Sequence, residues 1–366
     1  MRNGNINTAD ALRAYFNEEP SLCELYGNGH INDTFLVVCG GKRYILQRMN
    51  TTIFTQPDRL MQNIVGVTEH IKRKTREAGE DSSRVSLTVV PTLAGKDHFV
   101  SDGGEHFRLY DFVEGTVTQE KVENINDFYL CAKAFGAFQR TLADYPASEL
   151  FESIANFHNT PWRYANLLAA AEKDACGRLA SVLPEVEFAR QREEFCATLE
   201  RARTAGELPL RVTHNDTKLN NILFDAITGE PVCVIDLDTV MPGYSVTDFG
   251  DSIRFGANRA AEDETDLSKV TLDLELFEAY AKGFLEGCGG ALTDKEIELL
   301  PEGAIMMTLE CGMRFLTDYL EGDVYFKIHR EGHNLDRARN QFALVADMER
   351  KLGQMKEIIK KLSENY

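Results

Sequence analysis

The stretch Leu210–Asp225, LRVTHNDTKLNNILFD, decides how this chain is read. Within eight residues it sets His214, Asn215, Asp216, Lys218, Asn220 and Asn221, directly before an apolar run. So many polar groups beside a strand are costly to bury without a partner, so the stretch asks for a ligand. Residues 221–238 read as a hairpin: NILFD and PVCVIDLD are two strand-like runs joined by AITGE. The second run carries Asp236 near its end, twenty residues after Asp216.

This spacing resembles the catalytic loop of protein kinases, H-R-D-x-x-x-x-N, with a metal-binding aspartate beyond it at the end of a strand. His214, Asn215, Asp216 and Asn221 reproduce the loop, with Asn215 in the arginine position. The chemistry explains the spacing. A carboxylate has to sit where an attacking hydroxyl arrives, and a neutral oxygen has to reach a metal on the nucleotide. Asp216 is therefore expected as the catalytic carboxylate and Asn221 and Asp236 as the metal ligands. Lys218, on the same loop, is expected to reach the transferring phosphoryl group. The competing reading is a polar turn with a capping aspartate and a buried, hydrogen-bonded histidine. Asp238, two residues on, points to the same strand face as Asp236 and could contribute to the metal site or bind its outer waters. A literal DFG at Asp248–Gly250 comes after a Pro-Gly loop instead of a buried strand. Asp248 is therefore read as structural, bonding backbone near the loop or capping the next helix.

Outside this segment the chain changes character along its length. After a short helix near 10–17, residues 22–49 read as strands, with TFLVVCGGKRYILQRM as a hairpin about Gly40–Gly41. Residues 57–74 read as a long helix, and the segments near 85–100 and 105–116 return to strand pattern. The first 110 residues or so are thus a sheet of about five strands, with 57–74 as the one long helix. From 124 onward helical periodicity covers 124–143, 184–204, 271–286, 293–320 and 334–363. The plan is α+β: a small β-rich N-terminal lobe (1–112), then a larger, mostly helical C-terminal lobe (113–366). It is a protein-kinase-like two-lobe layout.

The N-terminal lobe fits kinases less closely. Gly27 and Gly29 in YGNGHINDTFLV resemble a loop that covers phosphates, without the third glycine; a plain hairpin turn is the alternative. YILQ places Gln47 where kinases carry a phosphate-binding lysine. Arg48 falls on the opposite strand face, and Arg43 falls on that of Gln47, where it could help. Without that lysine an acidic partner on the long helix has no purpose, and Glu69 reads as a solvated helix residue. RLYDFVEGT resembles a lobe hinge whose backbone at Phe112 and Val113 could meet adenine, or else an ordinary strand end.

Composition sets bounds. The 366 residues carry 40 Lys and Arg against 58 Asp and Glu, a net charge of −18, which argues against nucleic acid and anionic membranes as partners. The eight cysteines include no CxxC pair, so reduced thiols are expected and a disulfide or zinc framework is not. The start MRNGNINTADALRAYF has no apolar h-region, and the expectation is a cytoplasmic protein with no protein partner evident.

Loop, hairpin and IDLD together resemble the aminoglycoside phosphotransferase-like small-molecule kinases. GHIN, YILQ with MNT, IDLDT, MPG, DFGDSIRFGA and ECGMRFLTDYLEGDVYF extend that resemblance over nearly the whole chain, toward kinases of N-acetylhexosamines. It implies Mg²⁺-dependent phosphoryl transfer from ATP to the anomeric hydroxyl of N-acetylglucosamine or N-acetylgalactosamine. It also implies an acceptor site at His30, Asp216, Phe255, Arg314 and Tyr325, and makes Gln47 a shared feature. Bland alternatives stand beside it: Phe255 as core, and Arg314 paired with Asp318 one helical turn on. FHNTPWRY (157–164) resembles the family but has no assigned role, and His158 reads as structural. Other acceptors on the same scaffold (aminoglycoside, choline, homoserine, methylthioribose) remain open. So do a nucleotide-binding pseudokinase and an acidic interaction module.

Overall fold

The computed structural model describes residues 6–27, 31–119 and 121–364. The chain forms two compact units. The first takes in Met1–Val117, Glu149–Ile154 and Leu223–Met241; the second takes in Thr118–Ser148, Ala155–Ile222 and Pro242–Tyr366. The first unit thus reaches past the 112/113 division expected from sequence and includes the hairpin that comes after the His-Asp loop.

In the first unit an antiparallel sheet has the order Leu22–Leu25, Asp33–Cys39, Lys42–Arg48, His106–Asp111, Val89–Val90, with the two-residue Phe99–Val100 also on His106–Asp111. The last short pairing is one strand more than the alternation suggested. Gly40 and Gly41 have φ of 58° and 75°, and pair Cys39 with Lys42 across a two-residue turn. Period-two alternation sends Phe35, Val37, Leu46, Phe107 and Leu109 to one face, where the helix Ala9–Tyr15 covers them with Ala11 and Tyr15. The Tyr15 hydroxyl donates to the Phe107 carbonyl at 2.8 Å. The opposite face of the same strands carries Gln47 and Arg108, directly paired in register. The helix Pro57–Glu77 starts with proline in its first turn and buries Leu60, Met61, Ile64, Val67 and Ile71. A smaller sheet joins Pro231–Val234, Ile222–Asp225 and Thr116–Val117.

The second unit is helical. Ile125–Thr141, Leu274–Cys288, Asp294–Glu321 and His333–Ser363 match the periodicity within a few residues. The stretch expected as one helix over 184–204 is three, Leu183–Arg190, Glu193–Cys196 and Thr198–Thr204. The first break comes where the Arg192 N–H bonds back three residues to Ala189 and its guanidinium lies over Phe188, 3.4 Å from the ring centroid, and the second falls at Ala197, whose N–H bonds back to the Phe195 carbonyl. Thr160–Lys173 and Ser245–Gly256 are further helices. The second packs against Asp294–Glu321 through Gly250 and Gly303: a Cβ on Gly250 would lie 2.3 Å from the Gly303 carbonyl oxygen. That approach fixes the height of Asp248. Among the described residues no helix is long and apolar enough to cross a membrane, and all eight cysteines are free thiols.

Candidate active site

The loop predicted to be catalytic comes after the short strand Arg211–Thr213. Arg211 anchors that strand to Glu296, a fully buried carboxylate, with bonds of 2.5 and 2.6 Å. Glu296 is also the capping-box residue of its helix and accepts from Ser245 Oγ at 2.8 Å. One carboxylate therefore ties together the strand, the helix bearing Asp248 and the long helix Asp294–Glu321.

His214 is fully buried, edge-on to Phe135 and Phe138, and its Nδ1 accepts the Asp216 N–H at 3.3 Å. Asp248 holds the backbone. Its carboxylate accepts the N–H groups of His214 and Asn215, both at 2.8 Å, and Gln139 Nε2 at 2.7 Å. Thr217 Oγ1 donates to the Asp248 carbonyl at 2.6 Å. Burial pushes the Asp248 carboxyl up, against the backbone bonds that favour its ionised form. The structural reading of this decoy aspartate is met. Asn215 takes φ of 64°, a left-handed conformation asparagine tolerates, and Gly243 packs against the turn. A Cβ at Gly243 would lie 2.2 Å from Thr213 Oγ1.

The FHNTPWRY segment gains a role. His158 Nε2 bonds the Asn215 carbonyl at 3.1 Å and Nδ1 bonds Glu310 at 2.8 Å, while Thr160 Oγ1 donates to the other Glu310 oxygen at 2.7 Å. Both ring nitrogens face oxygen acceptors, which suits imidazolium. Burial works against the charge, but Glu310 outweighs it and holds His158 above its ordinary value; Glu310 is lowered in turn.

On this braced loop, Lys218 Nζ lies 2.6 Å from Asp216 Oδ1, and both side chains keep partial exposure. Burial would lower the Lys218 pKa, and Asp216 and Asp251 raise it on balance. Asn221 Nδ2 donates to the Asp216 carbonyl at 2.8 Å and to its carboxylate at 3.2 Å. The amide nitrogen is thereby assigned, leaving Oδ1 as the atom that can meet a cation.

In the first unit the strand after the hairpin turn ends at Val234, and Asp236 takes φ of 58° at the head of a short 3-10 turn, Leu237–Thr239. The alternation that would put Asp238 beside Asp236 therefore stops. Asp238 is 3% exposed and receives both arms of Arg108, one at 2.9 Å, and Asn32 Nδ2 at 2.6 Å. Gln47, expected to touch phosphate, has its oxygen bound by Arg108 Nε and Nη2 at 3.0 and 2.8 Å and its nitrogen bound to Thr34 at 3.1 Å. Arg43, its expected helper, pairs with Glu114 and covers the Phe112 ring at 4.0 Å. Phe112 gives its N–H to the Arg43 carbonyl at 3.2 Å. Its carbonyl and the Val113 N–H have no hydrogen-bond partner among the described residues, the donor-acceptor pair an adenine edge needs. Gly27, with φ of 74°, sits two residues after Leu25 ends its strand. Gly29 and His30 lie outside the described residues. Glu69 is largely exposed and only 3.4 Å from Lys72 on its own helix, as expected of a solvated position.

Of the residues expected at the acceptor site, Arg314 and Tyr325 come together around Phe326: the guanidinium lies 5.5 Å from the Phe326 centroid and 5.4 Å from that of Phe157, and the Tyr325 ring meets Phe326 at 4.8 Å. The pairing of Arg314 with Asp318 is not made. Asp318 instead accepts the N–H groups of Val324, Tyr325 and Phe326 at 2.8–2.9 Å, which shapes the loop that presents Tyr325. Arg314 has no hydrogen bond or ion pair among the described residues. Arg163, which sequence reasoning missed, adds a second cation; burial and the like charge of Arg314 pull it down to about 10. Phe255 is 40% exposed at the end of the helix Ser245–Gly256, which removes the core reading.

Among the described residues no group of three or more His, Cys, Asp or Glu side chains is placed to hold a metal. The candidate donors, an amide oxygen and a carboxylate, are hard oxygen ligands that suit Mg²⁺ completed by phosphate and water oxygens. Arg108 is the other residue the sequence reading passed over. An arginine amid HFRLYDF, with apolar neighbours, was the available signal, since a buried arginine requires a carboxylate.

Residues 23–282 match the phosphotransferase enzyme family APH. Solved structures of the same fold include a microcompartment-associated aminopropanol kinase, 18% identical with a TM-score of 0.62 over 95% of this chain and 97% of that one. An aminoglycoside phosphotransferase from Alicyclobacillus acidocaldarius is 14% identical with a TM-score of 0.62, over 96% and 95%. A spectinomycin phosphotransferase solved with ADP and spectinomycin is 13% identical with a TM-score of 0.55, over 93% and 95%. These likenesses establish the α+β, two-lobe protein-kinase-like fold.

Proposed function

Because the chain belongs to the phosphotransferase enzyme family, we propose that this small-molecule kinase is an N-acetylhexosamine 1-kinase. It transfers the γ-phosphoryl group of ATP to the anomeric C1 hydroxyl of N-acetylglucosamine or N-acetylgalactosamine, giving the α-1-phosphate. The observation that carries the reading is the His214–Asn221 loop, where a carboxylate, an ammonium 2.6 Å from it and an amide are held on a backbone braced by Asp248.

In a loose transition state little proton transfer has occurred at the barrier, so Asp216 chiefly orients the C1 hydroxyl and accepts its proton late. Lys218 leaves Asp216 for the negative charge on the transferring group. Bound with the nucleotide, Mg²⁺ supplies neutralisation of phosphate charge, and Asn221 (through Oδ1) and Asp236 are the residues proposed to hold it. The Phe112 carbonyl and Val113 N–H are proposed to take the adenine edge, and Gly27 to lie near the phosphates. Arg314 and Tyr325 donate to sugar hydroxyls or the acetamido carbonyl, and Phe255 offers an apolar face.

Arg314 disfavours cationic acceptors. It would repel a polycation, and its guanidinium already covers the ring faces of Phe157 and Phe326 that would otherwise be free to cage a quaternary ammonium. The test is ADP release with an acceptor panel of both sugars, aminoglycosides, choline, ethanolamine, homoserine and methylthioribose, with products identified by phosphorus NMR. A sugar 1-phosphate is expected. Turnover with another acceptor and none with the sugars would overturn the assignment, and ATP binding with no product would favour a pseudokinase.

A further inference from the structure

Kinases meet nucleotide phosphates with a strand lysine, and this chain has Gln47 there, its amide turned to a neighbour across the sheet. That neighbour is Arg108, paired with Gln47 in register and 2% exposed. A guanidinium so deep persists only with a carboxylate and filled donors. Asp238 and Gln47 supply them: both Asp238 oxygens accept from Arg108, and the Gln47 oxygen takes two further N–H groups.

Asp238 lies two residues beyond Asp236, and the intervening turn is pinned at several points. Asn32 donates to the Asp238 carboxylate at 2.6 Å, and Ser153 Oγ to its carbonyl at 2.8 Å. Asn63 Nδ2 donates to the Val240 carbonyl at 3.1 Å. Asp236 itself keeps a left-handed backbone, φ 58° and ψ 59°, which a non-glycine residue holds only where its surroundings over-determine it. The Arg108 guanidinium brings a positive charge to this turn from the strand His106–Asp111.

We infer that Arg108 is a positioning residue that stands in for the absent lysine: by gripping Asp238 and Gln47 together it sets the turn that presents Asp236 to a metal-nucleotide complex. This rests on the kinase reading of Asp236. Lysine at 108 cannot reproduce the fork that spans two Asp238 oxygens and Gln47. Restoring the lysine of other kinases by Gln47→Lys sets a second cation against Arg108 and weakens the clamp.

The test is calorimetric titration of ADP into the full-length protein, with Mg²⁺ and with EDTA, beside melting of the ligand-free variants. Wild type is expected to gain affinity from Mg²⁺. Arg108→Lys should lose about tenfold or more of that gain, with metal-free ADP affinity changed by about twofold or less. Gln47→Lys should lose it also. If Arg108→Lys does not fold, Gln47→Ala keeps the ion pair, removes its orienting oxygen and should lose about threefold of the gain. A variant that melts lower yet keeps the full Mg²⁺ gain, or loses ADP affinity equally with and without metal, reduces Arg108 to a structural ion pair and overturns the inference. So does tighter metal-free binding by Gln47→Lys. Absence of any Mg²⁺ gain in wild type refutes the kinase reading instead, and the inference with it.

Discussion

Asp248→Asn removes one charge from the support of the loop at constant side-chain size. One Asp248 oxygen accepts the Asn215 N–H at 2.8 Å; the other accepts the His214 N–H at 2.8 Å and Gln139 at 2.7 Å. Asparagine has one oxygen. If its nitrogen faces His214, Gln139 can turn its unpartnered oxygen to it, but the His214 N–H is orphaned. If its nitrogen faces Asn215, that N–H is orphaned instead. Either way one loop donor loses its acceptor at a side chain 1% exposed. An orphaned buried donor costs about 1–3 kcal/mol, and the surviving bonds lose their charge assistance. Part of this is returned, because burial already opposes the carboxylate charge, as its raised pKa shows. A net loss of about 2–4 kcal/mol remains, which for a unit of this size lowers the thermal midpoint by about 4–16 °C. Because the orphaned group lies one or two residues from Asp216, kcat should fall by about tenfold or more while nucleotide affinity holds. Scanning calorimetry and a coupled ADP assay read the two effects. A midpoint within about 1 °C of wild type, with unchanged kcat, would refute the claim that Asp248 holds the loop.

The His158–Glu310 pair gives a pH signature. With His158 raised and Glu310 lowered, its contribution is full between the ordinary carboxylate and imidazole values, about 4.3 and 6.5. It is lost as pH rises through the raised histidine value or falls through the lowered glutamate value. The midpoint difference between wild type and His158→Gln should therefore peak in that window, and a flat difference would mean His158 is neutral. Gly243→Ala drives a Cβ to 2.2 Å from Thr213 Oγ1, so kcat and thermal midpoint should both drop, and a fully active, stable variant would show that the turn yields freely. Arg314→Ala should raise the acceptor KM by about tenfold, at about 1.4 kcal/mol per factor of ten, with nucleotide KM unchanged. An effect on nucleotide alone would move Arg314 out of the acceptor site.

The fold was legible where local chemistry decides it. The Gly-Gly hairpin, the long helix from Pro57 and the C-terminal helices arise from turn residues and periodicity. The loop was legible because its polar groups outnumber what a strand end can bury unaided, and Asp248 because it comes after a Pro-Gly loop where a buried strand was needed. What stayed hidden depends on partners far away in sequence. Asp238 looked like a metal neighbour because strand alternation was carried beyond Val234, where the strand ends. Its partner Arg108 lies 130 positions earlier, and pairing of Gln47 with Arg108 is a property of register. His158 could not be given its role because Glu310 and the Asn215 carbonyl reach it only through tertiary packing. The helix expected over 184–204 is interrupted at Arg192, which reaches Phe188 and Glu349, and again at Ala197, and no periodicity encodes those contacts.

The proposed chemistry stands or falls on Asp216 as the group that receives the acceptor hydroxyl. Single-turnover transfer of the γ-phosphoryl group of ATP to N-acetylglucosamine, measured with Asp216→Ala beside wild type, tests it most directly. The expected outcome is a rate about 10²- to 10⁴-fold lower with nucleotide affinity nearly unchanged. A variant that makes sugar 1-phosphate at close to the wild-type rate would contradict it.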